Sequence, residues 1–180
     1  MIPILQKEEK LLRHRSKEVA LSDIGSTKIS KVIAHMKKAL LEQKDGVAIA
    51  APQIGIPLRI FVVSGKVFAE DLLQETPDKN KKAKKPDDIT FINPEIMKLS
   101  KKKAWVPEGC LSVRWLYGKV SRSTHATVKA LDEHGEKFTR GAGGLLAQIF
   151  QHEIDHLDGI LFIDKAKDIE EVIPNQNNLN

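Results

Sequence analysis

The stretch from Phe150 to Gly159, "FQHEIDHLDG", sets two histidines four residues apart with a glutamate beside the first. Apolar residues Leu145, Leu146, Ile149, Phe150 and Leu157 recur at helical spacing around it, so residues 143 to 157 are predicted to form a helix. Gly159 is a suitable terminator. Residues at i and i+4 project from one helical face a turn apart, so His152 and His156 can share one cation. Glu153 stands beside that cation, close enough to act on a water molecule without ligating the metal. This is the HExxH pattern of metal-assisted hydrolysis. With 6 His and 13 Glu in 180 residues, about 0.014 chance matches are expected.

The third ligand decides the chemistry. One protease class extends the motif to HExxHxxGxxH, and this chain matches as far as Gly159 but then carries Phe162, which binds no metal. Another class takes a later glutamate. Glu170 and Glu171 are available, within the polar "KDIEEV", which is read as an exposed segment. Upstream, "PEGCLS" offers Cys110, and a thiolate with two imidazoles and a water makes an open four-coordinate site. His14, His35, His125 and His134 sit in charged or turn-like contexts and are read as surface residues.

Residues 27 to 43 also have helical periodicity, through Ile29, Val32, Ile33, Met36 and Leu40, with Gly25 and Ser26 as a break and a cap. "GVAIAAPQIGIP", residues 46–57, is small and apolar and should be a buried turn or strand entry. "LRIFVVS" and "ITFINPEI" read as strands, the second stopped by Asn93-Pro94. "QETPDKNKKAKKPDD", residues 74–88, is an exposed connection. "AWVPEGCLSV" is extended, with a turn expected at Pro107-Glu108-Gly109, and residues 125–141 resemble a hairpin turning at His134-Gly135. A helix, then strands, then a helix favours an α+β fold over alternating βα units. The domain is expected to span residues 1–165, followed by a polar, partly disordered tail from 166 to 180.

The chain is 41% hydrophobic and 29% charged, as soluble globular proteins are. It has no apolar run of the roughly 20 residues that cross a bilayer. Its early, dense charge does not fit a signal peptide, and the expectation is a cytoplasmic protein without membrane association. One cysteine excludes an internal disulfide framework. Much of the net charge of +5 comes from Lys79 to Lys85, "KNKKAKK", which has no aromatic residue, so direct nucleic-acid recognition is not expected.

Three segments in order, "GVAIAAPQ", "EGCLS" and "QHEIDHLDG", resemble the signature motifs of the peptide deformylase family. "LR" and "SKEV" near the start, "FINPEI" and "GILFID" agree with it, so the resemblance covers about residues 1 to 165. It implies mainly antiparallel sheets around a central C-terminal helix that carries HExxH. It implies hydrolysis of the formyl group from the formyl-methionine of new polypeptides, in a likeness that makes Cys110, His152 and His156 the metal ligands and Glu153 the general acid/base. Gln53 becomes an oxyanion donor, assisted by the backbone N–H of Leu111. One divalent ion is implied, typically Fe(II), with Zn, Ni or Co substituting. The partners implied are formyl-methionyl nascent polypeptides and a transient contact with the ribosome, with the enzyme a monomer.

A methionine side chain needs an apolar pocket beside the metal. Leu145 and Ile149 precede His152 on its helix and Val47 could approach from the first motif, although all three could equally be plain core. Ala48 replaces the family's usual glycine where substrate backbone runs, and Gly109 borders the cysteine on the same cleft. Glu108 is suited to an ion pair that holds the cysteine loop, with Arg122 the partner the family suggests. Arg114 and Trp115 follow the cysteine motif where a proline is common, which bears on residues after methionine. The tail, "KAKDIEEVIPNQNNLN", lacks the basic helix with which bacterial members often end. Two rival readings stand beside this one: a general HExxH endopeptidase with Cys110 free, and a non-catalytic metal- or peptide-binding protein.

Overall fold

Four residues, Ile60–Val63, form strand β2 and are buried on both faces. A strand alternates its side chains across the sheet. Phe61 and Val63 therefore join one core cluster, and Ile60 and Val62 another. The computed structural model describes residues 2–68 and 86–173, so the lysine run 79–85 and the tail from 174 onward lie outside the described residues. Around β2 the elements are α1 (Thr27–Leu41), β1 (Ala48–Ala50), β3 (Ile89–Leu99), β4 (Lys103–Gly109), β5 (Leu116–Ser123), β6 (His125–Leu131), β7 (Lys137–Gly143), α2 (Gly144–Leu157) and β8 (Lys167–Glu171).

The strands make two sheets, ordered β1-β2-β3-β6-β7 and β4-β5-β8, with every strand pair antiparallel. A parallel bridge joins Lys17 to Leu58. Helix α2 buries Leu146, Ala147, Ile149, Phe150, Ile154 and Leu157 in the cluster that holds Phe61, Phe91, Val128 and Ala130. Phe61 stacks on Phe91 at 4.5 Å, and Phe150 meets Phe91 edge-on at 5.2 Å. Helix α1 sets Ile29, Ile33, Met36, Ala39 and Leu40 in the other cluster, with Ile60, Val62 and Ile92. The Ser26 hydroxyl accepts from the Ile29 N–H and caps α1. The expected α+β fold, with the motif helix against antiparallel strands, is the one observed.

Three local expectations are corrected. Strand β3 does not stop at Asn93-Pro94 but runs to Leu99. Asn93 has φ 49° there and the register shifts between Ile92 and Glu95, so a bulge absorbs the proline. The Asn93 side chain bonds both the N–H and the carbonyl of Val19 at 2.8 Å, which anchors the bulge. Pro107-Glu108-Gly109 is not a turn but the end of β4, in register with Lys119, Gly118 and Tyr117. β4 is a sheet edge, where a proline without an N–H is tolerated. The chain turns after it, where the Val113 N–H bonds the Cys110 carbonyl and the Leu116 N–H bonds the Val113 carbonyl. Lys167–Glu171, expected in the polar tail, is exposed but paired with β5 as β8. The hairpin is as expected, with β6 and β7 joined over Gly135 at φ 83°. Among the described residues no helix is long and apolar enough to cross a membrane.

Candidate metal centre

Helix α2 reaches the site because Gly143 and Gly144 turn the chain straight out of β7, and Gly159, at φ 77°, ends it. A Cβ at Gly159 would lie 2.7 Å from the Arg13 carbonyl oxygen, so the close approach of the N-terminal segment also requires glycine. His152 and His156 sit on this helix, with ring centroids 5.0 Å apart. Cys110 comes from the first position after β4. The ligating atoms of Cys110, His152 and His156 all lie within 4.8 Å of one another, and the Cys110 Sγ is 3.1 Å from His156 Nε2. His14, His35, His125 and His134 are exposed, as read from the sequence.

The surroundings fix the donors. His152 Nδ1 meets Glu108 Oε2 at 3.0 Å, which leaves Nε2 for a cation. Arg122 grips Glu108 with two N–H groups at 2.7 and 3.0 Å and reaches Asp155 at 2.6 Å. Lys165 holds the other Asp155 oxygen at 2.7 Å. Burial alone would raise the Glu108 carboxyl, yet the hydrogen bonds and charges of His152 and Arg122 outweigh it and hold the group at about 2. Burial pushes Glu153 up to about 7, opposed by His152 and reinforced by the negative charge of Glu108. Burial also lowers His156 well below the usual imidazole value. A thiolate and two imidazoles suit a first-row divalent ion. Among the described residues Glu153 Oε2 is buried without a protein partner, as expected of a group beside a metal-bound water, while His156 turns Nε2 toward the cluster. The residues present thus fit one cation.

A cavity of about 300 Å³ opens on this cluster. Val47, Ala48, Gln53, Gly109, Leu111, Leu145, Ile149 and Glu153 all line it, so the sequence candidates converge on one space. Ile149 is 4% exposed and Leu145 51%, so the first forms wall and the second rim. Gln53 is 2% exposed. Its Oε1 accepts from the Ala50 N–H at 2.8 Å, and its Nε2 lies 3.1 Å from Ser112 Oγ and 3.5 Å from Cys110 Sγ. Gln53 therefore bonds loop backbone and lines the cavity at once. Arg114 also lines the cavity and bonds both oxygens of Asp45, at 2.6 and 3.3 Å.

Sequence reasoning missed three contacts: Ser112 on Gln53, Glu108 on His152 and Asp155 on Arg122. Ser112 lies two residues after the cysteine and Asp155 one before His156, but nothing in the spacing shows which way either points.

Known proteins match this arrangement. The family model for polypeptide deformylase covers residues 1–172. Peptide deformylase 2 of Clostridium acetobutylicum is 40% identical over 157 residues, which are 87% of this chain and 89% of that protein. The chloroplastic peptide deformylase 1A of Solanum lycopersicum is 38% identical over 92% of this chain, which spans only 59% of that longer protein. Among solved structures, the class I type b peptide deformylase of Acinetobacter baumannii bound to Met-Ala-Ser superposes with a TM-score of 0.76 at 31% identity, over 92% of this chain and 99% of that one. Its actinonin-bound form gives 0.77 at 30% identity, over 93% and 99%. Fold, cavity and motifs lead to one conclusion, that the chain belongs to the polypeptide deformylase family.

Proposed function

We propose that this chain hydrolyses the formyl group from the N-terminal formyl-methionine of newly made polypeptides and releases formate. The observation that carries the reading is the meeting of Cys110 with His152 and His156 in a cavity that also holds Glu153 and Gln53. Residues 1–165 form the catalytic domain in this reading. Cys110, His152 and His156 hold one divalent ion, Fe(II) in the cell, with Zn, Ni or Co able to replace it. The bound ion lowers the pKa of water and polarises the formyl carbonyl.

The protein does the rest. Glu153 takes a proton from the attacking water and passes it to the amine nitrogen as the C–N bond breaks, so formate and a free N-terminus form without net proton change at the carboxyl. Gln53 Nε2 and the Leu111 N–H donate to the oxygen that gains charge. Among the described residues the Leu111 N–H has no protein acceptor, which supports that role. Val47, Leu145 and Ile149 receive the methionine side chain, while Ala48 and Gly109 flank the peptide backbone. The Met-Ala-Ser complex of the Acinetobacter relative supports a peptide ligand. A monomer working in the cytoplasm, in transient contact with the ribosome, completes the reading.

Formate release from formyl-Met-Ala-Ser, beside an unformylated peptide, tests it. Cleavage of the unformylated peptide without formate would favour an endopeptidase instead. Protein purified without oxygen should contain iron and lose activity in air, because a thiolate then lies beside a redox-active ion. Activity indifferent to air would point to zinc or nickel.

A further inference from the structure

A primary amide carries two N–H groups, and only one orientation of the Gln53 amide suits donation into the cavity. The bond from the Ala50 N–H to Oε1, at 2.8 Å, settles which end is oxygen. It leaves the tilt of the amide plane open, since the terminal torsion of a glutamine is broad. Ser112 closes that freedom. Its hydroxyl accepts one hydrogen of Gln53 Nε2 at 3.1 Å, which turns the second to the cavity side, where it now points to Cys110 Sγ at 3.5 Å and is the one hydrogen left to donate to a substrate oxygen. Ser112 is 0% exposed, so the bond is shielded from bulk solvent. Its own N–H donates to Cys110 Sγ at 3.4 Å. One residue thus touches the sulfur through its main chain and Gln53 through its side chain.

We propose that Ser112 is a positioning residue, which aims the Gln53 amide at the developing oxyanion and does not itself touch substrate. This rests on the reading of Gln53 given above. The side-chain and main-chain contacts of Ser112 are separable, because alanine removes the hydroxyl and keeps the N–H.

The test compares metal-loaded parent, Ser112→Ala, Ser112→Thr, Gln53→Ala and the double variant Gln53→Ala/Ser112→Ala on formyl-Met-Ala-Ser. Ser112→Ala should lower kcat about tenfold with KM within about twofold, since the amide is misaimed when charge develops. Ser112→Thr, which keeps a hydroxyl, should recover most of the loss. Gln53→Ala should lose about 10²–10³ in kcat, and adding Ser112→Ala should cost nothing more. A readout independent of turnover is the exchange of the Gln53 side-chain amide hydrogens by NMR. It should be slow in the parent and faster in Ser112→Ala, with bound metal unchanged.

Parent-like kcat in Ser112→Ala would overturn the proposal. So would losses that multiply in the double variant, amide exchange that does not change, or loss of metal in parallel with kcat, which would assign Ser112 to the cysteine instead. If the parent releases no formate, the functional reading fails on its own, and the exchange measurement still decides whether Ser112 holds Gln53.

Discussion

Glu153 is 4% exposed, and one of its carboxylate oxygens has no protein partner. A carboxyl so placed carries a burial cost, and the role proposed for it at the site accounts for that cost. Glu153→Ala is expected to keep its metal, since the ligand atoms are elsewhere, and to lose about 10²–10⁴ in kcat. Metal analysis and formate release on the same sample check this, and turnover at the parent rate would remove Glu153 from the mechanism. This residue was legible in the sequence because HExxH fixes its place on a helix. Cys110 was legible only as one candidate among several, since a cysteine 42 residues before His152 meets it through tertiary folding alone. Ser112 was not legible, because a serine in a turn has an ordinary local explanation. The direction of its hydroxyl depends on Gln53, which arrives from another element.

At the scale of elements, the site hangs on contacts between α2 and the small sheet. Arg122 on β5 binds Glu108 on β4 and Asp155 on α2, with all three side chains largely removed from water. Arg122→Met would leave the buried Glu108 without its guanidinium, while Asp155 keeps Lys165, and it should destabilise the fold by about 3 kcal/mol, read as a lowered midpoint in denaturant. Glu108→Gln should be milder in stability but weaken metal binding roughly 10–100-fold, because it changes the partner that orients His152. Competition with a chelator measures it, and unchanged affinity would show that His152 is held by packing alone. The helices and the β6–β7 hairpin were legible from periodicity and turn residues. The ends of β3 and β4 were not, because prolines at Pro94 and Pro107 signal a stop locally. A bulge accommodates the first and an edge position the second, and both are properties of sheet assembly.

Across the whole molecule, α1 and the large sheet are pinned at Glu133, which accepts from Lys37 on α1 and Thr90 on β3. Burial would raise its carboxyl, but the bonds from Lys37 and Thr90 outweigh this and hold it below its ordinary value of 4.5. A depressed carboxyl contributes stability above its unfolded pKa and loses it as pH falls through the folded one. The gap in melting temperature between the parent and Glu133→Gln should therefore be full at neutral pH, narrow below about pH 4.5 and vanish in stronger acid. A gap independent of pH would mean that packing, not charge, holds the corner. The two margins that meet at the cavity carry a wider consequence. β1 closes one sheet and β4 the other, and Ala48 and Gly109 stand on those margins. Such borders offer amides and carbonyls that every polypeptide can answer, whatever its sequence. A chain laid along either border would be held by its main chain, and its side chains would add to that hold only where the neighbouring walls reach them.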